Sequence, residues 1–250
     1  DQRAHLARAV EIGVVEARGQ NVSSDHDAAF DFLTKAFGAC LFVHIVNAVA
    51  SRQLFGVILK DGQLMRLNVG IFSLHFLLTS FFVAFPNQLA ELGLDLKNHS
   101  WVYLATMFGA VLLMLPLIII AEKKRKHARI MLVGVLLIAF IQVSFGISTL
   151  SLPLVVVAMV IYFTGFNLME ALLPSMISRI APLSGKGTAL GLYSTFQFSG
   201  AFLGGPAAGF VLQTYGIQGV YLMGATVAII WAGLLLGLKN PPAVTSYTLT

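Results

Sequence analysis

Two residues in a strongly apolar chain have side chains that can take up and release a proton. Glu170 is the sole acidic, basic or histidine residue between positions 130 and 178, and His75 stands alone in the run 67–89. An ionisable side chain inside a bilayer normally faces a cavity or a partner, because an isolated charge there is strongly disfavoured. Glu170 and His75 are therefore the candidates for a proton-carrying or gating role.

Each of these residues also has a structural alternative. By the rise of 1.5 Å per helical residue, Glu170 lies roughly 25 Å along its span from Pro153, near one end, where it can pair with Arg179. His75 lies about 12 Å into its own span, where a neutral imidazole can serve as a hydrogen-bonded core residue. The sequence leaves both roles open for both residues.

Uncharged polar residues inside the apolar runs can line a cavity or bond across helices. The candidates are Asn167, Gln197, Gln142 and Asn87. The motifs of zinc proteases, serine hydrolases and phosphate-binding loops are missing from the sequence, which argues against an enzyme. The single cysteine, Cys40, excludes an internal disulfide and a cysteine-based metal cluster, and no cofactor or metal site is predicted.

Composition places the chain in a membrane. Hydrophobic residues make up 57% of the chain and charged residues only 11%, with a mean hydropathy of +0.84. A soluble domain carries about 25% charged residues. Residues 187–238 include no Asp, Glu, Lys, Arg or His, and two helices of about 20 residues cross a hydrocarbon layer of roughly 30 Å. The polar segment 213–219 (QTYGIQG) marks the turn between them.

The rest of the pattern is a series of similar apolar runs, which predicts an all-α membrane protein with a six-transmembrane-helix bundle. The chain divides into an N-terminal segment of uncertain structure (1–50), an amphipathic cytoplasmic linker (51–64), the six-span unit (65–240) and a cytoplasmic tail (241–250). The predicted spans are 67–89, 101–121, 130–148, 153–177, 187–212 and 220–238.

The fifth span carries an unusual density of small residues. Glycines recur four residues apart on two faces, which lets neighbouring backbones approach closely, and a proline between them invites a bend. This helix is either a tightly packed structural element or a seam that opens and closes. The residues of this candidate hinge are Gly191, Gly200, Gly204, Gly205, Pro206 and Gly209.

Loop charge predicts the orientation of the bundle. The loop 122–129 carries five Lys and Arg residues, whereas the loops of the opposite side offer Lys97 alone. Because basic residues stay in the cytoplasm, both ends of the bundle are expected there. The same loop accounts for the net charge of +5, so the bilayer is the expected partner and a nucleic acid is not. Its candidate residues are Glu122, Lys123, Lys124, Arg125 and Arg129.

Four segments of the chain carry a resemblance to a known family. They are 64–75 (LMRLNVGIFSLH), 166–175 (FNLMEALLPS), 186–189 (KGTA) and 193–198 (YSTFQF). They resemble the C-terminal half of YajR-type transporters of the major facilitator superfamily, over about residues 52–243. The resemblance implies twelve helices in two halves, with alternating access around a central cavity. The six spans here would be the last six.

The resemblance implies a secondary active transporter in the inner membrane that moves a small organic solute, by proton-coupled efflux. The segment 122–126 would be the cytoplasmic loop signature. The glycines of the fifth span resemble an antiporter signature, with Phe210 in place of its last glycine. The sequence begins without Met and looks like a partial chain. It is expected to need the missing N-terminal half or a second copy. The alternative is a non-transporting membrane interaction module or an inactive truncation product.

Overall fold

The computed structural model describes residues 52–241, which form helices joined by short loops. Short 3-10 turns at Leu96–Asn98 and Leu183–Gly185 precede two of the helices. The helices are α1 (Arg52–Lys60), α2 (Gly62–Glu91), α3 (His99–Lys123), α4 (His127–Ile147), α5 (Leu152–Ile180) and α6 (Lys186–Leu235). Within residues 52–241, the five helices α2 to α6 are long and apolar enough to cross a membrane.

The last helix, α6, accounts for two of the six predicted spans. Its 50 residues would extend about 75 Å if straight, far more than the thickness of a bilayer. Gly216 interrupts it with φ 69° and ψ −170°, a backbone conformation that suits glycine. The break falls inside the predicted turn 213–219. It separates α6a (186–215) from α6b (217–235).

Contacts with α2 show that the chain reverses at this break. Gly200 of α6a lies against the backbone of Phe72, while Trp231 of α6b lies against Gly70, half a turn away on α2. Two positions 31 residues apart along α6 therefore meet the same part of α2. The α6 hairpin with α2, α3, α4 and α5 gives six passes, which confirms the predicted six-helix bundle.

The start of the first membrane helix differs from the prediction. The carboxylate of Asp61 accepts hydrogen bonds from the backbone nitrogens of Gln63 at 2.8 Å and Leu64 at 3.2 Å. These bonds satisfy donors that a helix N-terminus leaves free, so Asp61 caps α2. The predicted linker 51–64 is therefore shorter, because α1 ends at Lys60 and residues 62–64 belong to α2.

Aromatic rings fill the centre of the bundle at the end remote from the loop 122–129. Phe81 of α2 stacks on Tyr162 of α5 with ring centroids 4.4 Å apart, and on Phe85 at 4.8 Å. Phe145 of α4 lies 4.9 Å from Tyr221 of α6b. Helices in a membrane associate through such van der Waals packing, since lipid offers no hydrophobic driving force between them. This core holds four helices at fixed positions.

At the other end, called the basic end because it carries the loop 122–129, the segment after α6b binds two helix starts. The Gln63 side-chain nitrogen donates to the carbonyl of Gly237 at 3.0 Å, and its oxygen accepts from the backbone nitrogen of Lys239 at 2.8 Å. The Asn240 oxygen accepts from the backbone nitrogen of Ala128 at 3.0 Å and so caps α4. We call these bonds the clasp.

The clasp places both ends of the six-span unit on one side of the bundle. That this side faces the cytoplasm stays a prediction. The predictions for residues 1–50, and for all but the first residue of the tail 241–250, lie outside the described residues.

Candidate functional site

His75 lies near the middle of α2 and touches polar groups from two other helices. Its Nε2 atom is 2.9 Å from the amide nitrogen of Gln197 on α6a and 3.3 Å from Oε1 of Glu170 on α5. Its Nδ1 atom is 3.3 Å from the carbonyl oxygen of Ile71, one turn earlier on α2. We call His75, Glu170 and Gln197 the membrane cluster. It joins the two proton-carrying candidates of the sequence and one of the cavity candidates.

The hydrogen bonds of His75 suit a neutral ring. The Ile71 carbonyl can only accept, so Nδ1 carries the proton, and Nε2 then accepts from the Gln197 amide. In this state Nε2 has no proton to offer Glu170. A second proton on the ring turns Nε2 into a donor and creates an ion pair with the carboxylate. One added proton therefore changes the contacts among three helices.

Glu170 has no fixed counter-charge while His75 is neutral. Its Oε1 atom is buried and accepts no hydrogen bond from any of the described residues, although it lies within ion-pair distance of the imidazole. The side chain as a whole is 35% exposed. A buried carboxylate oxygen without a donor is unfavourable, so this group gains from binding a proton or a cation.

The backbone places Glu170 deeper than its position in the predicted span suggests. Helix α5 continues to Ile180, which leaves Glu170 about 15 Å from the helix end. Pro174, one turn further on, has no N–H to donate to the Glu170 carbonyl. The alternative partner Arg179 is not in contact with Glu170. It donates instead to Glu122 on α3 at 2.7 Å.

A second carboxylate and histidine meet at the basic end, in what we call the basic-end cluster of Glu122, His127 and Arg179. Arg179 Nη1 and Glu122 Oε1 each lie 3.2 Å from Nε2 of His127, which is almost fully buried. The cluster ties α3, α4 and α5 together. The sequence singled out Glu122 but missed both partners. The other candidates of this loop are exposed to solvent: Lys123, Lys124, Arg125 and Arg129.

Of the three remaining cavity candidates, one lies on the same helix face as Glu170 and two lie away from the membrane cluster. Asn167 is partly buried and lies three residues before Glu170, so the two share one face of α5. Gln142 is buried inside the bundle, where its amide packs against Gly224 of α6b. Asn87 is exposed at the far end of α2 and donates to a carbonyl of its own helix at 2.8 Å. Neither Gln142 nor Asn87 reaches the membrane cluster.

One glycine face of α6a makes the close approach that the spacing predicts. A Cβ atom at Gly200 would collide with the backbone of Phe72, and one at Gly204 would collide with Phe76. Ser80 adds a hydrogen bond to the Gly204 carbonyl at 3.1 Å. This contact begins one turn after Gln197 and holds α6a at hydrogen-bonding distance from His75. We call it the glycine seam.

The other glycine face is open. Apart from the adjacent residues and the backbone of α6a itself, no atom of the described residues lies within 4 Å of a Cβ built at Gly205 or Gly209, and Pro206 is exposed. The Gly191 carbonyl accepts from the Thr195 hydroxyl at 3.0 Å, within the helix. Whether this helix acts as a hinge stays a prediction.

Two further contacts between helices, one polar and one between backbones, were not predicted from the sequence. Tyr221 of α6b donates a hydrogen bond to the side-chain oxygen of Gln88 on α2. A Cβ at Gly165 of α5 would meet the carbonyl oxygen of Gly134 on α4 at 2.6 Å. Spacing gives no signal for either pair, because each joins residues of two different helices and the facing positions depend on how those helices pack.

The six-pass bundle with an ionisable cluster between its helices is the architecture of a membrane transporter half. Residues 67–248 match the family model of the Major Facilitator Superfamily, so the chain belongs to this family of membrane transporters. The matched region begins in α2 and includes every later membrane pass. The chain is therefore an integral membrane protein.

Three relatives narrow the position within the family. The chain is 41% identical over 205 residues to the inner membrane transport protein YajR of Escherichia coli (strain K12), covering 81% of this chain and 45% of that protein. It is 33% identical over 139 residues to an uncharacterized transporter of Buchnera aphidicola subsp. Acyrthosiphon pisum, covering 56% and 36%. The chain spans less than half the length of these proteins.

The third relative is an uncharacterized transporter of Buchnera aphidicola subsp. Baizongia pistaciae. It is 25% identical over 182 residues, which cover 71% of this chain and 45% of that protein. The family and its YajR-type branch, inferred from four short segments, are confirmed.

Proposed function

We propose that this chain forms one half of a secondary active transporter of the inner membrane, which moves a small organic solute outward in exchange for protons. The contact between His75 and Glu170 supports the proposal, because it places two proton-binding groups at membrane depth on different helices. The name of the YajR relative supports the location. The partner in the complete cavity is the N-terminal half or a second copy of this chain.

The coupling proton binds to the membrane cluster. Glu170 without a proton is an anion with one buried oxygen, and adding a proton removes the charge or creates an ion pair with His75. Either change alters how α5 is held against α2 and α6a. A ligand shifts a two-state equilibrium only through different affinities for the two states. The proton has that difference if one state exposes Glu170 and the other buries it beside His75.

The glycine seam indicates which helices move together and which move separately during transport. Backbone contact at Gly200 and Gly204 leaves little room for α6a to slide on α2. Helix α5 has a missing backbone hydrogen bond at Pro174, one turn from Glu170. We assign α2 and α6a to one rigid unit, and the segment of α5 around Glu170 to the part that responds to the proton.

The first test is flux through the natural full-length transporter in proteoliposomes, with a library of small organic solutes and an imposed pH gradient. Glu170→Gln removes the carboxylate and is expected to lower gradient-driven flux about 100-fold, a loss of ~2.7 kcal/mol. His75→Gln keeps a hydrogen-bonding side chain but cannot bind the proton, and we expect it to reduce the pH dependence of flux.

Glu91→Gln is the matched control, because it makes the same chemical change at an exposed position at the far end of α2. Gradient-driven flux that survives both Glu170→Gln and His75→Gln would disprove the assignment of the coupling proton. No flux with any solute, in a preparation that is folded by thermal unfolding, would favour the non-transporting interaction module.

A further inference from the structure

Glu170 is short of positive charge within its own half of the transporter. The sequence has no Lys or Arg in residues 130–178 or 187–238, which cover most of α4, α5 and α6. Arg179, which shares α5 with Glu170, donates to Glu122 instead. His75 is the one basic side chain within ion-pair distance of Glu170 among the described residues, and its hydrogen bonds suit the neutral ring.

Phenylalanine residues lie one helical turn from both members of the His75–Glu170 pair. The Phe166 ring, one turn before Glu170 on α5, lies 6.2 Å from the imidazole of His75 by ring centroids. On α2, Phe72 lies one turn before His75 and stacks with Phe76 at 6.1 Å. The faces of aromatic rings attract cations, most strongly where water is excluded. The carboxylate of Glu170 therefore offers a counter-charge, and the Phe166 ring beside its partner His75 offers apolar surface.

We propose that the membrane cluster binds an organic cation, with the ionised carboxylate of Glu170 as counter-charge and phenylalanine rings against its apolar groups. This rests on the transporter function proposed above and names the class of solute. An organic anion would meet the same carboxylate at close range, and like charges repel strongly at low dielectric constant. The chemistry that fits is a protonated or quaternary amine, or another bulky monocation.

The proposal predicts competition with protons, because one carboxylate cannot hold a proton and neutralise a cation together. The titratable groups that face Glu170 are His75 on α2 and the phenol of Tyr193 on α6a. Helix α3 and helix α4 carry their charged residues at their ends, away from the cluster. Cation affinity should therefore fall as pH is lowered.

The test uses two ions of the same size and shape and opposite charge. Binding of tetraphenylphosphonium and of tetraphenylborate to the purified full-length transporter in detergent is measured by equilibrium dialysis between pH 5 and 9. We expect the cation to bind about tenfold tighter than the anion or more. We also expect its affinity to fall about tenfold per pH unit where Glu170 gains its proton.

Three variants assign the effect to this carboxylate. Glu170→Gln should weaken cation binding about tenfold or more and reduce its pH dependence to the contribution of His75, whereas Glu170→Asp keeps the charge and should retain both. Glu91→Gln should bind as the unmodified protein does. Thermal unfolding identifies a variant that fails to fold, and then the Glu170→Asp result and the comparison of the two ions decide. Equal binding of both ions, or unchanged binding by folded Glu170→Gln, would overturn the proposal.

Flux and binding measured together separate the cation site from the transport cycle. Gradient-driven flux of a neutral or anionic solute, without cation binding at Glu170, would leave proton coupling intact and remove the cation site. Cation binding that depends on Glu170, without flux under any pH gradient, would keep the site and remove the transport cycle.

Discussion

The molecule contains two clusters of nearly the same composition, and they differ in one residue. In each, a glutamate oxygen lies close to Nε2 of a histidine, at 3.3 Å in the membrane cluster and 3.2 Å in the basic-end cluster. In each, a third side chain contacts the same imidazole nitrogen. That side chain is Gln197 in the membrane cluster and Arg179 in the basic-end cluster.

The third residue decides whether the carboxylate is satisfied. Arg179 also donates to Glu122 at 2.7 Å, so that carboxylate has a permanent positive partner. Gln197 brings no charge, and no hydrogen-bond donor among residues 52–241 reaches Oε1 of Glu170. The basic-end cluster, whose carboxylate has a charged partner, holds three helices together at every pH at which that carboxylate is ionised. The membrane cluster, whose carboxylate has no charged partner while His75 is neutral, changes its contacts when a proton or cation binds. A glutamate and a histidine can therefore hold helices together in one place, and bind and release a proton or cation in another.

The largest effect is expected from Gln197→Arg, which removes the difference between the clusters by giving the membrane cluster an arginine as its third residue. A fixed cation within ~4–6 Å favours the ionised carboxylate by a factor of roughly 10 to 1,000. We expect proton-driven flux to fall by a similar factor although Glu170 itself is intact. Gln213→Arg, at an exposed position near the α6 turn, is the control and should keep flux. Unimpaired flux in Gln197→Arg would contradict the distinction between the clusters.

A smaller effect should follow from a substitution in the glycine seam, which positions α6a beside the membrane cluster. Gly200→Ala inserts a methyl group into the glycine seam and forces α6a away from α2, at a cost of about 1–3 kcal/mol in unfolding free energy. The displaced helix also weakens the bond between Gln197 and His75. Gly205→Ala makes the same change on the open face, where the higher helix propensity of alanine should leave stability unchanged or raise it by about 1 kcal/mol or less.

Thermal unfolding in detergent measures both variants. A loss at Gly205 as large as that at Gly200 would contradict the assignment of one tight and one open face.

The smallest effect is expected from the reverse exchange, Arg179→Gln, which removes the charge from the basic-end cluster. Exposed ion pairs contribute about 0–1 kcal/mol, and the Glu122 side chain is 43% exposed. We expect a loss of about 1 kcal/mol or less in unfolding free energy, smaller still in high salt. Proton-driven flux should persist. Its loss would mean that the basic-end cluster belongs to the coupling machinery.

The sequence predicted the architecture well, since long uncharged runs and a polar turn are local features. The turn at 213–219 was placed correctly because Gly216 lies among polar residues between two apolar runs. Glycine spacing on α6a revealed two small faces. It could not show that one of them meets α2, because the neighbour of a helix face depends on the packing of the whole bundle.

The partner of Glu170 was harder to predict, although the spacing of residues along α5 could have excluded one candidate. Arg179 follows Glu170 by nine residues, which places it on the opposite face of a helix and about 13 Å along the axis. A helical projection therefore argues against that pairing. The positive assignment to His75 required the fold, because the two residues lie 95 positions apart on helices that the sequence does not order in space.

The clasp at the basic end has a consequence for how the protein is made. The Gln63 amide bonds to Gly237, 174 residues later in the chain. At a synthesis rate of about 5–20 residues per second, roughly 9 to 35 seconds pass between the two residues leaving the ribosome. Until α6b follows, the face of α2 at Gly70 has Leu173 of α5 as a neighbour but lacks Trp231. A nascent chain that ends before Trp231 leaves part of this face of α2 exposed, and one that ends before Gly237 also lacks the hydrogen bond to Gln63.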